Sequence, residues 1–309
     1  MPTIIRLLDH FGEDWIRING ESLPVNGSFE IELPSNGTPQ IYYENSIDKL
    51  SLKDIKSVWN RRRGAFKFSE KLDKKFIDFV ESETLNVYQG LNQLLPDAKW
   101  MNPYWSDRHA DNPLVQLSEA ANCGLSIPHT IITQSKDKAK AFWELKKGQV
   151  ITKSISNQAL SSFNIDGFLP TVSVEDLECI SKVKESPTLL QEKVKKKTEL
   201  RVVVVGTKIF AAAIDPTFVK SLPVDVREKD MTSYPYTNYA LPSYLEKSIL
   251  KFTSKLGLSY CSMDIIKSIE NEYFFIDLNP GGQWAWIENL TGANISLSIA
   301  NWLSGRDDV

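Results

Sequence analysis

Phe274-Phe275-Ile276-Asp277-Leu278-Asn279-Pro280-Gly281-Gly282-Gln283-Trp284 begins as an apolar strand and ends in a Pro-Gly-Gly turn, with two oxygen-bearing side chains set two residues apart before the turn. Side chains alternate across a strand, so Asp277 and Asn279 share one face. Asp264 lies in the preceding β-rich run, Tyr260 to Ile266, and Ser268-Ile269-Glu270-Asn271 predicts a hairpin turn between it and the run Tyr273 to Leu278. Three hard oxygen donors brought together suit Mg²⁺, which takes one or two carboxylates and completes its shell with substrate phosphates. The same residues also suit an ordinary turn, because Asp, Asn, Pro and Gly are what turns use.

Working outward, three upstream segments offer matching chemistry. Lys153 ends the apolar strand Gln149-Val150-Ile151-Thr152-Lys153, where a cation at a strand tip reaches phosphate oxygens as a point charge or is simply solvated. Gln191-Glu192-Lys193-Val194 follows another apolar strand and offers backbone hydrogen bonds and a carboxylate to an adenine and ribose, or else is an edge emerging into solvent. Arg201 stands in the β-rich run Glu199-Leu200-Arg201-Val202-Val203-Val204-Val205, and a partly buried arginine needs an anionic partner. That partner is a phosphate or acyl-phosphate oxygen, or a structural carboxylate such as Glu199. The basic run Lys193, Lys195, Lys196 and Lys197 reads as a solvated turn.

Composition narrows the function classes. The 309 residues carry 36 basic and 39 acidic side chains, a formal charge of −3, so no whole-chain field favours nucleic acid or an anionic membrane as partner. Cys123, Cys179 and Cys261 are far apart, and His10, His109 and His129 are scattered, which excludes a zinc site or histidine triad at ordinary spacings. No long apolar run occurs, and a soluble cytoplasmic protein is expected.

The apolar pattern predicts an α/β (α+β) chain in three parts: an N-terminal domain over 1–110, a central domain over 111–188 and a C-terminal domain over 189–309. In the first, strands at Ile4 to Leu8, Phe29 to Leu33 and Ile41 to Tyr43 form a mixed sheet backed by a helix with Ser69 as N-cap, ending before Pro96. A helix follows Asn112 and stops at Gly124; a strand spans His129 to Thr133; Ser135 caps a helix to Leu145; and Ser154 to Gly167 reads as a loop. Strands Leu189 to Val194, Leu200 to Val205 and Lys208 to Ile214 come next, the last two joined at Gly206-Thr207. Helices from Pro242-Ser243 to Gly257 and from Ile295 to Leu303 complete the chain.

Taken in order, Lys153, Gln191-Glu192-Lys193-Val194, Glu199-Leu200-Arg201, Asp264 and Asp277-Leu278-Asn279-Pro280-Gly281-Gly282 resemble the motif set of ATP-grasp ligases. The resemblance implies an ATP-grasp fold in which Lys153 holds the α- and β-phosphates. It implies that Gln191, Glu192 and Val194 hold adenine and ribose, with Glu199 in the same nucleotide-binding set and Ile151 and Leu278 flanking the adenine. Arg201 would stabilise the transferring phosphoryl group, and Asp264, Asp277 and Asn279 would bind two Mg²⁺. A closer resemblance, over nearly the whole chain, is to the ATP-grasp maturases of ribosomal peptides, the microviridin-type or graspetide ligases. It rests on Val58-Trp59-Asn60-Arg61-Arg62, Gly124-Leu125-Ser126-Ile127-Pro128-His129-Thr130, Asp225-Val226-Arg227 and the Gln283-Trp284-Ala285-Trp286-Ile287-Glu288 continuation. Two positions depart from the pattern. The place of a second phosphate-directed lysine is Asn112-Pro113, and Val226 stands where the triplet more often has Trp.

By that resemblance the chain activates an Asp or Glu side chain of a precursor peptide, with leader and core, as an acyl phosphate. A Thr or Ser hydroxyl then closes an ω-ester macrocycle, or a Lys amine an ω-amide. Arg227 would hold the donor carboxylate, and Arg61, Arg62 and Arg63 either hold acidic peptide or end a strand in solvent. Amino-acid addition to a protein C-terminus and a non-catalytic peptide-binding module are the competing readings. No nucleic acid or membrane partner is expected, and the family leans toward a homodimer.

Overall fold

The computed structural model describes residues 2–61, 64–156, 171–174, 182–221 and 234–306. Arg62, Arg63, Cys179, the Asp225-Val226-Arg227 triplet and the expected loop beyond Ser156 lie outside them. The chain forms two compact units. The first takes the residues through Asp107, Gly257–Ser259 and the chain from Ser296; the second takes Arg108–Leu256 and Tyr260–Ile295.

The first unit opens with helix α1 (Pro2–Phe11) where the β-branched Ile4-Ile5 pair predicted a strand. Ile4, Leu7, Leu8 and Phe11 recur at helical spacing and Ile4 and Leu8 are buried, so the amphipathic stripe overrides local β-propensity, and Pro2 costs nothing in a first turn. Strands β1 (Gly27–Glu32), β2 (Gln40–Asn45) and β3 (Lys49–Ser51) form an antiparallel sheet. Strand β4 (Ser57–Trp59) pairs in parallel with β5 (Lys99–Met101), and the crossover that a parallel pair requires is helix α2 (Ile77–Leu94). Ser69 is not the cap of α2. Its Oγ accepts from Lys71 N at 3.2 Å in a separate turn, and Asp73, accepting from Lys75 N at 3.1 Å, opens a 3₁₀ turn that leads into the helix. Leu23, Ile41, Tyr43, Leu52, Phe66 and Leu91 centre this unit's core. Ser57 Oγ donates to Leu303 O at 2.5 Å, which ties in the C-terminal segment. Helix α3 spans Tyr104–Ala110.

The second unit starts with α4 (Pro113–Asn122), capped by Asn112, whose Oδ1 accepts from Leu114 N at 2.9 Å. It stops at Gly124, whose φ of +89° no side chain would tolerate cheaply. Strand β6 (Thr130–Thr133), helix α5 (Lys136–Leu145, capped by Ser135), β7 (Val150–Lys153), β8 (Thr171–Ser173) and β9 (Thr188–Glu192) build an antiparallel sheet of order β6-β9-β7-β8. Val150 and Leu190 pack with Ala139 and Phe142 of α5, so one face of this sheet is closed by that helix. Because β9 pairs with β6 and β7, the chain leaves this sheet after Glu192 and not at the 188/189 boundary expected from the sequence.

Strands β10 (Lys196–Val205), β11 (Lys208–Ile214), β12 (Tyr236–Asn238), β13 (Tyr260–Ser268) and β14 (Tyr273–Asn279) form a second antiparallel sheet of order β12-β11-β10-β13-β14. Helix α6 (Ser243–Lys255) covers one face through Leu245, Ile249 and Phe252, the last meeting the Phe275 ring edge-on at 5.1 Å. Helices α7 (Ala285–Thr291) and α8 (Ile295–Leu303) follow. Among the described residues, no helix is long and apolar enough to cross a membrane.

Candidate active site

The register of the five-stranded sheet lines up three of the predicted residues. Arg201 on β10 faces Asp264 on β13, which faces Asp277 on β14, across three adjacent strands. Arg201 Nη1 is ion-paired to Asp264 Oδ1, with both side chains about 12% exposed. A buried guanidinium requires such a partner, and Asp264, not Glu199, supplies it. Glu199 lies two residues before Arg201 on the same face and is held by Lys196 Nζ at 2.8 Å.

Strand β14 carries a bulge. Asp264 pairs with Asp277 but Ile265 pairs with Phe275, so Ile276 is an extra residue. The bulge lets Phe275 point into the helix-backed core while Asp277, only two residues on, points to the open face. It also aims the Ile276 carbonyl outward, where Lys153 Nζ donates to it at 3.1 Å. The predicted phosphate lysine of the four-stranded sheet is thus held beside the predicted metal strand.

The turn after β14 is also real. Asn279 Oδ1 accepts from Gly281 N at 3.0 Å, and its backbone O from Gly282 N at 3.2 Å. An amide oxygen has two lone pairs, so this turn leaves Asn279 able to meet a cation. Gly282 is packed so tightly that a Cβ there would lie 1.8 Å from Ser262 Oγ, and Tyr260 OH donates to its carbonyl at 2.8 Å.

Leu278 was expected beside the adenine; the structure turns it the other way. It pairs with Met263 on the helix-backed face and is 2% exposed, while the half-buried Ile276 is the apolar neighbour of Asp277 on the bulged stretch. The period of two applied to Asp277 and Asn279 also puts Leu278 opposite them, which rules out its expected place.

Gln116 on α4 escaped the sequence reading and organises this strand. β14 is the outer strand of its sheet, and an outer strand leaves backbone groups to be satisfied. The Gln116 amide acts as a substitute neighbour: Oε1 accepts from Leu278 N at 3.0 Å, while Nε2 donates to Leu278 O and to Ala110 O, each at 2.8 Å. A polar residue inside the apolar stripe Leu114, Leu117, Ala120 was the available signal.

On the four-stranded sheet, Ile151 pairs with Gln191 and Lys153 with Leu189, so all four share the face away from α5. Gln191 is 1% exposed; its Nε2 donates to Thr130 Oγ1 at 2.9 Å, and its Oε1 has no hydrogen-bond partner among the described residues. Glu192 alternates to the helix side, where Lys146 Nζ binds its carboxylate at 2.6 Å, and Val194 is half-buried in the connection to β10. The structure therefore groups Ile151, Lys153 and Gln191 on one face and Glu199, Arg201, Asp264, Asp277 and Asn279 on another. Glu192's side chain stands apart.

Tyr236 on β12 is a second residue missed from sequence. It is 5% exposed, its ring meets Trp286 edge-on at 4.9 Å, and its hydroxyl, met by the donor Arg201, has no hydrogen-bond acceptor among the described residues. Burial pushes its phenol pKa well up, the nearby Arg201 opposes this, and Glu199 and Asp264 add to it.

Comparison with known proteins adds three findings. A family model described as MvdD pre-ATP grasp domain matches residues 1–108, and one described as RimK-like ATP-grasp domain matches residues 110–303. No curated protein matches the chain. Among solved structures, a Chryseobacterium gregarium RiPP-associated ATP-grasp ligase, in complex with ADP and a leader and core peptide, is 29% identical with a TM-score of 0.88, over 99% of this chain and 92% of that one. The macrocyclase MdnC from Microcystis aeruginosa MRC, bound with precursor peptide MdnA, is 27% identical with a TM-score of 0.82, over 98% and 94%. The macrocyclase MdnB from the same organism is 25% identical with a TM-score of 0.79, again over 98% and 94%.

Proposed function

Because the chain belongs to the RimK-like ATP-grasp family, we propose that it is an ATP-dependent ligase that activates Asp or Glu side chains of a ribosomal precursor peptide and joins them to Thr or Ser hydroxyls as ω-esters. The observation that carries this is the Arg201–Asp264–Asp277 row with Lys153 held against the same strand. The ligands of the neighbouring structures, ADP with leader and core peptides in one and a precursor peptide in another, support the choice of substrates.

The residues fit Mg-ATP. Gln191 Oε1 is a buried acceptor without a partner among the described residues, as an exocyclic amine of adenine would require, and Asp264, Asp277 and Asn279 are the hard oxygen donors that Mg²⁺ prefers. Bound there, two Mg²⁺ ions would neutralise phosphate oxygens. Ile151 and, in place of Leu278, Ile276 offer the apolar contacts for the base. Lys153 neutralises the α- and β-phosphates.

In the reaction, a carboxylate oxygen of the peptide attacks the terminal phosphorus of ATP, the bond to the β-phosphate oxygen breaks, and ADP leaves. Arg201 offsets charge on the oxygens of the transferring group, a stabilisation that is strongest in a buried site. The peptide hydroxyl oxygen then attacks the acyl carbon, the bond from that carbon to the phosphate oxygen breaks, and phosphate departs with that oxygen and its electron pair while the hydroxyl proton passes to it or to water. Arg227 is assigned to the donor carboxylate from sequence pattern alone. We take a homodimer as the working assembly.

The test uses the precursor encoded nearest to this gene. With Mg-ATP the product should lose one water per ring, mild alkali should restore the mass by opening the esters, and hydroxylamine should divert the intermediate to peptide hydroxamate. A precursor unchanged in mass, with no peptide-dependent phosphate release from folded enzyme, refutes the ligase reading.

A further inference from the structure

Tyr236 is buried on a strand edge, and Arg201, which can only donate, meets its hydroxyl oxygen, so the phenol proton has no acceptor among the described residues. Leaving a buried O–H donor without an acceptor costs free energy that a bound ligand recovers. The groups around it narrow the ligand. Glu199 and Asp264 lie close enough to act on the phenol, but Glu199 is held by Lys196 and Asp264 by Arg201, and neither takes its hydrogen bond. Arg201 is the cation that faces it.

The ring cannot easily swing away. It stacks edge-on against Trp286 at 4.9 Å, and Asn238, two residues further along β12, donates from Nδ2 to Thr291 O at 2.9 Å. Both contacts come from α7, which begins just after the Pro280-Gly281-Gly282 turn that closes β14. The metal strand and the phenol are therefore positioned by one continuous piece of chain.

We propose that Tyr236 OH donates a hydrogen bond to an oxygen of the phosphoryl group facing Arg201, and retains it when that group becomes the acyl phosphate. This rests on the ligase reading and adds a substrate-contacting residue to it. The phenol gives up no proton. It acts as a neutral donor beside the guanidinium, a pairing that binds an oxyanion without adding a second full charge to a buried site.

Tyr236→Phe keeps the ring and its contact with Trp286 and removes only the hydroxyl. Peptide-dependent kcat/KM, read as hydroxamate formation, should fall about 10- to 100-fold while ADP affinity stays within about twofold. A fall of less than about threefold overturns the assignment. A second measurement keeps Tyr236 in place as 3-fluorotyrosine: orthophosphate added to the Mg-ADP form should shift the fluorine resonance at position 236, and an unmoved resonance also overturns it. If wild-type enzyme forms no hydroxamate with any acidic peptide yet the resonance shifts, the oxyanion contact stands and the ligation reading falls.

Discussion

Truncating Gln116 to Ala removes the side chain whose amide satisfies both backbone groups of Leu278. Three hydrogen bonds go, leaving Leu278 N–H, Leu278 C=O and Ala110 C=O to find other partners in a region where Leu278 is 2% and Ala110 0% exposed. At about 1 kcal/mol net for each bond the direct loss is about 3 kcal/mol. The vacated volume, partly collapsed, adds roughly 1–2 kcal/mol. Urea unfolding followed by tryptophan fluorescence should therefore show a loss of roughly 4 kcal/mol, and Gln116→Leu, which refills the volume, should recover only the cavity part. Because Asp277 and Asn279 flank Leu278, Mg-dependent ADP binding should weaken about tenfold or more in both variants. A loss below about 1 kcal/mol with unchanged ADP affinity would show that water replaces the amide, and that the clamp does not order β14.

Asp277→Ala should abolish Mg-dependent ATP turnover, a drop of more than about 100-fold, with folding stability changed by less than about 1 kcal/mol; turnover retained at a tenth of wild type would remove Asp277 from the metal set. Gly282→Ala should cost about 1–3 kcal/mol in thermal or urea unfolding, because the added Cβ meets Ser262 Cβ at 2.6 Å, which no rotamer change relieves. Ser262→Gly in the same chain should restore most of the loss, and a single variant as stable as wild type would contradict the packing described here.

Where the sequence was read through periodicity and caps, the structure agrees closely: Asn112, Ser135, Gly124 and the Gly206-Thr207 turn bound their elements as expected. The exceptions have physical causes. Ile4-Ile5 favour a strand locally, but the wider stripe through Phe11 gives a helix with two buried residues. Ser69 and Asp73 are both plausible caps, and only the hydrogen bonds distinguish them. At the site, alternation correctly joined Asp277 to Asn279, but a flat application of it would place Phe275 with them. The bulge that separates them depends on pairing with β13, which no single strand reveals. Gln116 and Tyr236 belong to partners 162 and 35 residues away in sequence, so their roles appear only once the sheet is assembled.

Ile276 has a consequence for how this enzyme can vary. The ladder is in register on both sides of it, so a strand lacking that one residue would still pair Ile265 with Phe275 and Asp264 with Asp277. What would vanish is the outward carbonyl that anchors Lys153. Fold and lysine anchor are therefore separable at a single codon: dropping it would leave the sheet paired with Lys153 untethered, whereas dropping Leu278 would take a buried side chain out of the core and turn Asn279 to the helix-backed face.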